Sequence, residues 1–340
     1  MVDNGLKNTG QRCRPVFALS LGDPAGIGPE IACKAMNNKE FMAEVAVVGA
    51  IDVLEKTAAR LELRLPLVSV ARSADFRPDQ VNVFDCGIPQ SEKWHTGAVQ
   101  AVCGSAAYTY IDKAIAMALA GEVDGVITNP INKEALHAAG YNYPGHTEIF
   151  AEKTGTEKYS MLFLLNDIGV AHVTTHCSLR EAIEQIAAGR VLATIRLLSD
   201  TMIRLGITGP RIAVGGLNPH AGENGLFGKE EIEHIRPAIA MAQAEGIDAS
   251  GPYPPDTVFM RAFKGAFDGV VAMLHDHGFV ALKSMDFEHG VNITVGLPII
   301  RTSVGHGTAF DIAGTGKASA ESLLSAFDAA RRLYRSDRGK

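Results

Sequence analysis

At 340 residues the chain exceeds the size at which one hydrophobic core usually stops growing, so two domains are the expectation. With 46% hydrophobic and 21% charged residues it has an ordinary globular composition, and a net charge of -6 argues against a general nucleic-acid or anionic-membrane surface while leaving room for a small basic pocket. No apolar run is long enough to span a bilayer, and five scattered cysteines without a Cys-x-x-Cys pair exclude a zinc ribbon or disulfide framework; a reduced, cytoplasmic setting is expected.

Residues 1–15 read as a loose polar leader. Val16–Leu21 is a strand, and Gly22-Asp-Pro-Ala-Gly-Ile-Gly-Pro-Glu30 opens a helix running to about Asn37, with Pro29 in the first turn, where a missing N–H costs nothing. The glycines of that loop suit either a tight turn or close approach of the backbone to an anion at a helix N-terminus; the loop is not the Gly-x-Gly-x-x-Gly dinucleotide fingerprint. Val45–Gly49 and Val68–Val70 are further strands, a long Ala/Gly-faced helix spans about Gly97 to Leu119, and Val126–Pro130 is a strand leading to another helix. Asn142-Tyr-Pro-Gly-His-Thr-Glu148 sets an imidazole, a hydroxyl and a carboxylate at a helix start, where His146 and Thr147 can donate to an oxyanion or Thr147 can merely cap.

Three apolar, strand-like runs then end in histidine: 169–176, 211–220 and 269–275. In open α/β sheets ligands sit beyond the carboxyl ends of strands, so His176, His220 and His275 are candidates for one cation site with open positions. Each taken singly is more often a capped or hydrogen-bonded surface histidine; it is the threefold coincidence that raises the cation reading. Ser178-Leu-Arg-Glu181 is a capping box that starts a helix just after His176, a second helix follows from Glu230, and a terminal one spans Ala318 to about Tyr334 before a polar tail. Asp276 is placed to orient His275, while His277 competes with it. Lys283, Asn292 and Arg301 suit a phosphate, which a guanidinium can grip with two oxygens. Ser303–Gly314, containing Gly305, His306, Gly307, Thr308 and Asp311, suits an adenosine moiety, with Asp311 at the ribose or adenine or else a simple cap. The alternation of strands and helices predicts an α/β fold with mostly parallel sheets.

Together, Gly22–Glu30, Thr128-Asn-Pro-Ile-Asn-Lys133, Pro144-Gly-His-Thr-Glu148, Asn218-Pro-His-Ala-Gly-Glu223, Pro255-Asp-Thr257, His275-Asp276 and Val291-Asn-Ile-Thr294 resemble the 4-hydroxythreonine-4-phosphate dehydrogenase family over residues 16–334. The resemblance implies a two-domain fold like isocitrate and isopropylmalate dehydrogenases, with residues 1–145 and 290–340 forming one α/β domain and 146–289 the other. It implies NAD(P)-linked oxidative decarboxylation of a small phosphorylated substrate by a homodimer with its site at the interface. One divalent ion, zinc first and magnesium, manganese or cobalt otherwise, would be held by the residues matching His176, His220 and His275. Substrate contacts would match His146, Thr147, Lys283, Asn292 and Arg301, and the cofactor would lie against Gly305–Asp311. Cys177-Ser-Leu-Arg180, His277 and Gly305 depart from the best-known members, and Gly251–Phe259 and Thr308–Ile312 look more like the branch acting on D-threonate or D-erythronate 4-phosphate than a pyridoxal phosphate route. Lys283 and Asp256 are the candidates for a general base. A cis-dihydrodiol dehydrogenase for an aromatic carboxylate such as terephthalate, and a non-catalytic nucleotide or sugar-phosphate sensor, are the rival expectations.

Overall fold

A computed structural model describes residues 14–88, 94–285 and 288–338; the leader through residue 13 lies outside them. The described residues form one sheet of β1 (Phe17–Ser20), β2 (Val45–Gly49), β3 (Leu67–Ser69), β4 (Val81–Asp85), β5 (Gly125–Thr128), β6 (Ser160–Leu165), β7 (Ile168–His172), β8 (Ile212–Gly215), β9 (Ala249–Tyr253), β10 (Gly269–Ala272), β11 (Val291–Val295) and β12 (Arg301–Val304). Its strand order is β3-β4-β2-β1-β5-β12-β11-β6-β7-β10-β8-β9. The strands β1, β2, β5, β8 and β10 are buried along their whole length, as strands covered by helices on both faces must be.

The fold is α/β and mostly parallel, as expected, with one local departure. The pairings β12–β11, β11–β6 and β6–β7 are antiparallel. Between β6 and β7 the chain reverses over Asn166 and Asp167, whose φ values of 47° and 64° make the two-residue turn whose twist suits a hairpin. Asn and Asp tolerate that backbone because their short polar side chains bond locally.

Local signals held well. Pro29 sits in the first turn of the helix Gly28–Ala35, and Ser178 and Glu181 form the reciprocal capping box of the helix Leu179–Glu184. The terminal helix, Glu321–Arg338, runs four residues past the expected end at Tyr334, so most of the supposed tail is helical. It packs against β12, with Phe327 edge-on to Phe17 and Phe41.

The glycines of Gly22–Glu30 serve close packing. A Cβ on Gly22 would lie 2.4 Å from the carbonyl oxygen of Pro130, one on Gly28 2.4 Å from that of Leu21, and one on Gly26 3.0 Å from Thr308. The loop is thus locked to two neighbouring loops, and none of its residues lines the cavities described below.

Asp23, fully buried, accepts the Ala25 N–H through Oδ1 at 2.8 Å, while its Oδ2 has no partner. Burial pushes its carboxyl up to about 6, against the Ala25 hydrogen bond. The folded protein therefore binds this proton more tightly than the unfolded chain does. Stability from this group is present below about pH 4 and is lost as pH rises to about 6, by roughly 3 kcal/mol. Asp23→Asn cannot ionise, so urea midpoints should move in its favour by about that amount, relative to the natural chain, between pH 4 and pH 7. Parallel pH profiles would disprove the assignment.

Candidate active site

A cavity of about 260 Å³ is lined by Lys133, His146, Thr147, Glu148, His176, Asn292, Arg301, Ser303, His306 and Gly307, among others. Distant segments supply them. Lys133 and His146 each begin a helix, Lys133–Ala138 and His146–Lys153, while Asn292 lies in β11 and Arg301 opens β12. Four of the five expected substrate residues are therefore together. Lys283 is not among them: it is exposed on the helix His275–Met285, with Nζ 5.7 Å from the centre of the Phe279 ring.

Arg301 dominates the cavity electrically. It is 3% exposed; Nη1 donates to Thr294 Oγ1 and Nη2 to Thr128 Oγ1, both at 2.9 Å, and Nε has no partner. Burial pulls its pKa down to about 10, still far above neutrality, so the group remains a cation; the charge of Glu148 pulls the other way. Among the described residues no carboxylate forms an ion pair with it. A buried cation without a counter-ion is costly, and an entering anion relieves that cost. Next to it His146 has a shielded, unpartnered Nε2, and burial followed by the charge of Arg301 holds its pKa well below 6.5. It is a neutral imidazole at neutral pH. His306, its pKa lowered by burial, bonds its own loop through Nδ1 and the Gly307 oxygen at 3.1 Å, and its Nε2 is unpartnered, as is Asn292 Oδ1. These atoms form a polar lining suited to a compact anion with several oxygens.

The histidine-ended strands resolve differently from one another. β7 ends at His172, and His176 lies four residues farther on, in an exposed loop. His275 opens its helix three residues after β10, and the centres of the His176 and His275 rings are 5.8 Å apart. Asp276 Oδ1 accepts from His275 Nδ1 at 2.8 Å, which fixes the proton there and leaves Nε2 as the free donor of an electron pair. Among the described residues no three His, Cys, Asp or Glu side chains converge within one chain as a cation site. Imidazole pairs backed by a carboxylate are nevertheless the donor chemistry a zinc-like ion takes.

His220 lies in a turn wound the wrong way. His220, Ala221, Gly222, Glu223 and Asn224 all have positive φ, between 43° and 78°. For the four non-glycine residues this costs on the order of 1 kcal/mol each. The turn borders a mainly apolar groove of about 840 Å³, whose lining includes His220, Asp256, Met260, Asp276, His277, Val280 and Met285. Asp256, a base candidate, is thus on the His220 side and not in the Arg301 cavity. His277 faces the groove half-buried, and burial lowers its pKa.

The Gly305–Asp311 loop is divided. Gly307 and His306 line the Arg301 cavity, Thr308 accepts from Ile27 N–H through its carbonyl at 3.0 Å, and Asp311 is exposed in a turn that starts no regular helix. Glu30, 2% exposed, holds the following segment by accepting from Gly316 and Ala318 N–H at 3.1 and 2.8 Å, while Lys34 donates to both their carbonyls.

Sequence reasoning missed Lys133 and Glu148, although both stand in quoted motifs; a charge one or three residues into a helix has no mark of its own. It also missed His172. That ring is 4% exposed and both nitrogens are unpartnered; it stacks on Phe279 at 4.7 Å, and Phe279 in turn lies 4.5 Å from His275. A Cβ on Gly278 would fall 2.2 Å from His172 Nε2, so glycine makes room for the stack. Read literally, the strand-end rule pointed at His172.

The model of the family described as pyridoxal phosphate biosynthetic protein PdxA matches residues 41–330. The chain is 45% identical over 322 residues to the D-threonate 4-phosphate dehydrogenase of Pectobacterium atrosepticum (94% of this chain, 99% of that protein). It is 48% identical over 319 residues to the 4-hydroxythreonine-4-phosphate dehydrogenase of Beijerinckia indica (93% and 94%). A crystal structure of 4-hydroxythreonine-4-phosphate dehydrogenase from Klebsiella pneumoniae superposes with a TM-score of 0.84 at 44% identity, covering 95% of this chain and 98% of that one.

If Arg301 is an anion anchor, inorganic phosphate at a hundred times its dissociation constant should stabilise the protein by about 2.7 kcal/mol. In thermal-shift measurements Arg301→Met should abolish that response while leaving phosphate-free stability within about 1 kcal/mol, because the buried charge is removed with its desolvation cost. A normal phosphate response in the variant would remove Arg301 from the anion site.

Proposed function

The chain belongs to the PdxA family, and from that membership we propose that it is a dehydrogenase that oxidises the secondary alcohol of a 4-phosphorylated hydroxy acid. D-Threonate 4-phosphate, D-erythronate 4-phosphate and 4-hydroxy-L-threonine 4-phosphate are the substrates of choice. The carrying observation is Arg301: a buried, unpaired guanidinium beside neutral His146 and the Thr147 hydroxyl, in a cavity sized for a small anion. Asn292 and Lys133 extend the same lining.

In the proposed reaction the carbinol carbon gives a hydride to NAD or NADP and its hydroxyl gives up a proton; the β-keto acid so formed then loses carbon dioxide. A divalent ion held by His176, His220 and His275 would supply Lewis acidity at the substrate's oxygens. Arg301, His146, Thr147 and Asn292 grip the phosphate and fix the distance from it to the reacting carbon. Asp276 keeps His275 in the tautomer whose Nε2 is free. The loop carrying Gly305, His306, Gly307, Thr308 and Asp311 receives the dinucleotide, with Glu30 as its buttress.

Completion of the site requires a second copy of the chain. Around His220 the exposed side chains Met260, Val280 and Met285 form an apolar rim that supports a homodimer contact there. Such a contact would bring Asp256 and Lys283, the proposed bases, toward the neighbouring copy's anion cavity. Among the described residues no helix is long and apolar enough to cross a membrane, and four free cysteines support a reducing, cytoplasmic setting.

The test is a panel of the three 4-phosphates and their dephosphorylated forms with NAD or NADP and each divalent ion, followed by nicotinamide reduction and carbon dioxide release. Phosphorylated acids should be turned over at least a hundredfold more efficiently, as expected where a charge-assisted anchor is lost. Equal rates for the dephosphorylated acids would end the phosphate reading. His220→Ala should lose metal-dependent turnover; full activity would remove that ligand.

A further inference from the structure

The left-handed turn at His220 is held by a buried carboxylate that no part of the proposed chemistry uses. Glu231, 1% exposed, accepts through Oε1 from the N–H groups of Leu217 and Asn218, both at 2.8 Å, and through Oε2 from the Asn218 side-chain amide at 2.9 Å. The carboxylate sits inside the turn. A Cβ on Gly222 would lie 2.6 Å from Oε2, and one on Gly216 2.9 Å from the Ala221 Cα and 3.1 Å from Oε1, so turn and carboxylate crowd both positions. From the other side Arg236 donates to Asn224 Oδ1 at 3.0 Å, closing the far end.

We propose that Glu231 is a positioning residue for His220: its carboxylate, packed against Gly222 inside the turn and bonded to three donors of Leu217 and Asn218 at its entrance, fixes the left-handed backbone that sets where the imidazole stands. A run of four non-glycine residues in this conformation relaxes unless its surroundings over-determine it, and such outliers cluster where geometry matters to function. An ordinary loop closing the same gap would need neither the strain nor a buried acid. Glu231 touches no cavity that holds substrate, so its effect reaches the reaction only through His220. The proposal rests on the reading that His220 is a metal ligand, and the experiment separates the two.

Glu231→Gln keeps the volume but turns an N–H toward the Asn218 amide, replacing an acceptor with a donor. Titration of cobalt or zinc into the full-length protein by calorimetry should show at least a tenfold loss of affinity, the range seen when the groups behind a ligand are removed. kcat should fall by a similar factor, while KM for the phosphorylated acid and the phosphate-induced rise in Tm stay within twofold. Amide hydrogen exchange over residues 217–225 should quicken at least tenfold. Glu230→Gln, which alters the outer contact to Asn218 at 2.7 Å, should leave all five readouts near the natural values. Unchanged ion affinity and exchange in Glu231→Gln would overturn the proposal, and so would parallel loss of the phosphate response, which would mean general unfolding. If His220→Ala binds the ion as tightly as the natural chain, the metal reading of His220 fails, and the positioning role fails with it whatever the exchange shows.

Discussion

A guanidinium buried without a carboxylate organises the functional half of this molecule. Arg301 opens β12 at the middle of the sheet, and its two terminal nitrogens are held by hydroxyls from β5 and β11. Threonine oxygens orient the fork without cancelling its charge. A carboxylate in either place would make a satisfied ion pair and leave nothing to attract an anion. The antiparallel β11 is what brings Thr294 and Asn292 alongside β12, so the departure from an all-parallel sheet is part of this cavity's construction.

The loops around that cation are set by backbone proximity more than by side-chain recognition. Gly22, Gly26 and Gly28 let three chain segments approach within distances that a single methyl would forbid. Glu30 and Lys34 then staple the segment after residues 305–311 from both its donors and its acceptors. Ser322, at the start of the terminal helix, receives Gly305 N–H and donates to Gly290, tying the two strands that carry Asn292 and Arg301. Polar contacts outside the cavity thus hold still the strands and loops that line it.

The histidine region follows a different logic, built of stacking and strain. His172, Phe279 and His275 form a continuous ring contact under the first turn of the helix His275–Met285, possible only because Gly278 lacks a side chain. His220 is presented by a backbone that most residues avoid. The two features lie on different elements, and within one chain they do not make a three-donor site. The apolar groove beside His220 shares no lining residue with the Arg301 cavity.

Alternating periodicity, Pro29, and the Ser178–Glu181 box gave the α/β class and many element starts, because each depends only on neighbours in sequence. That His146, Thr147, Asn292 and Arg301 belong together was also legible, through the motifs shared with the family, and the fold brings the four to one cavity. The sequence could not say how closely Gly22–Glu30 packs against its neighbouring loops, that Lys133 and Glu148 face the cavity, or that Glu231 packs inside a left-handed turn. Those outcomes depend on which segments come within a few ångströms of each other across the sheet. A linear chain encodes helix caps and strand faces at short range; close approach, burial of charge and the sign of φ in a crowded loop are decided only once all the strands are in place.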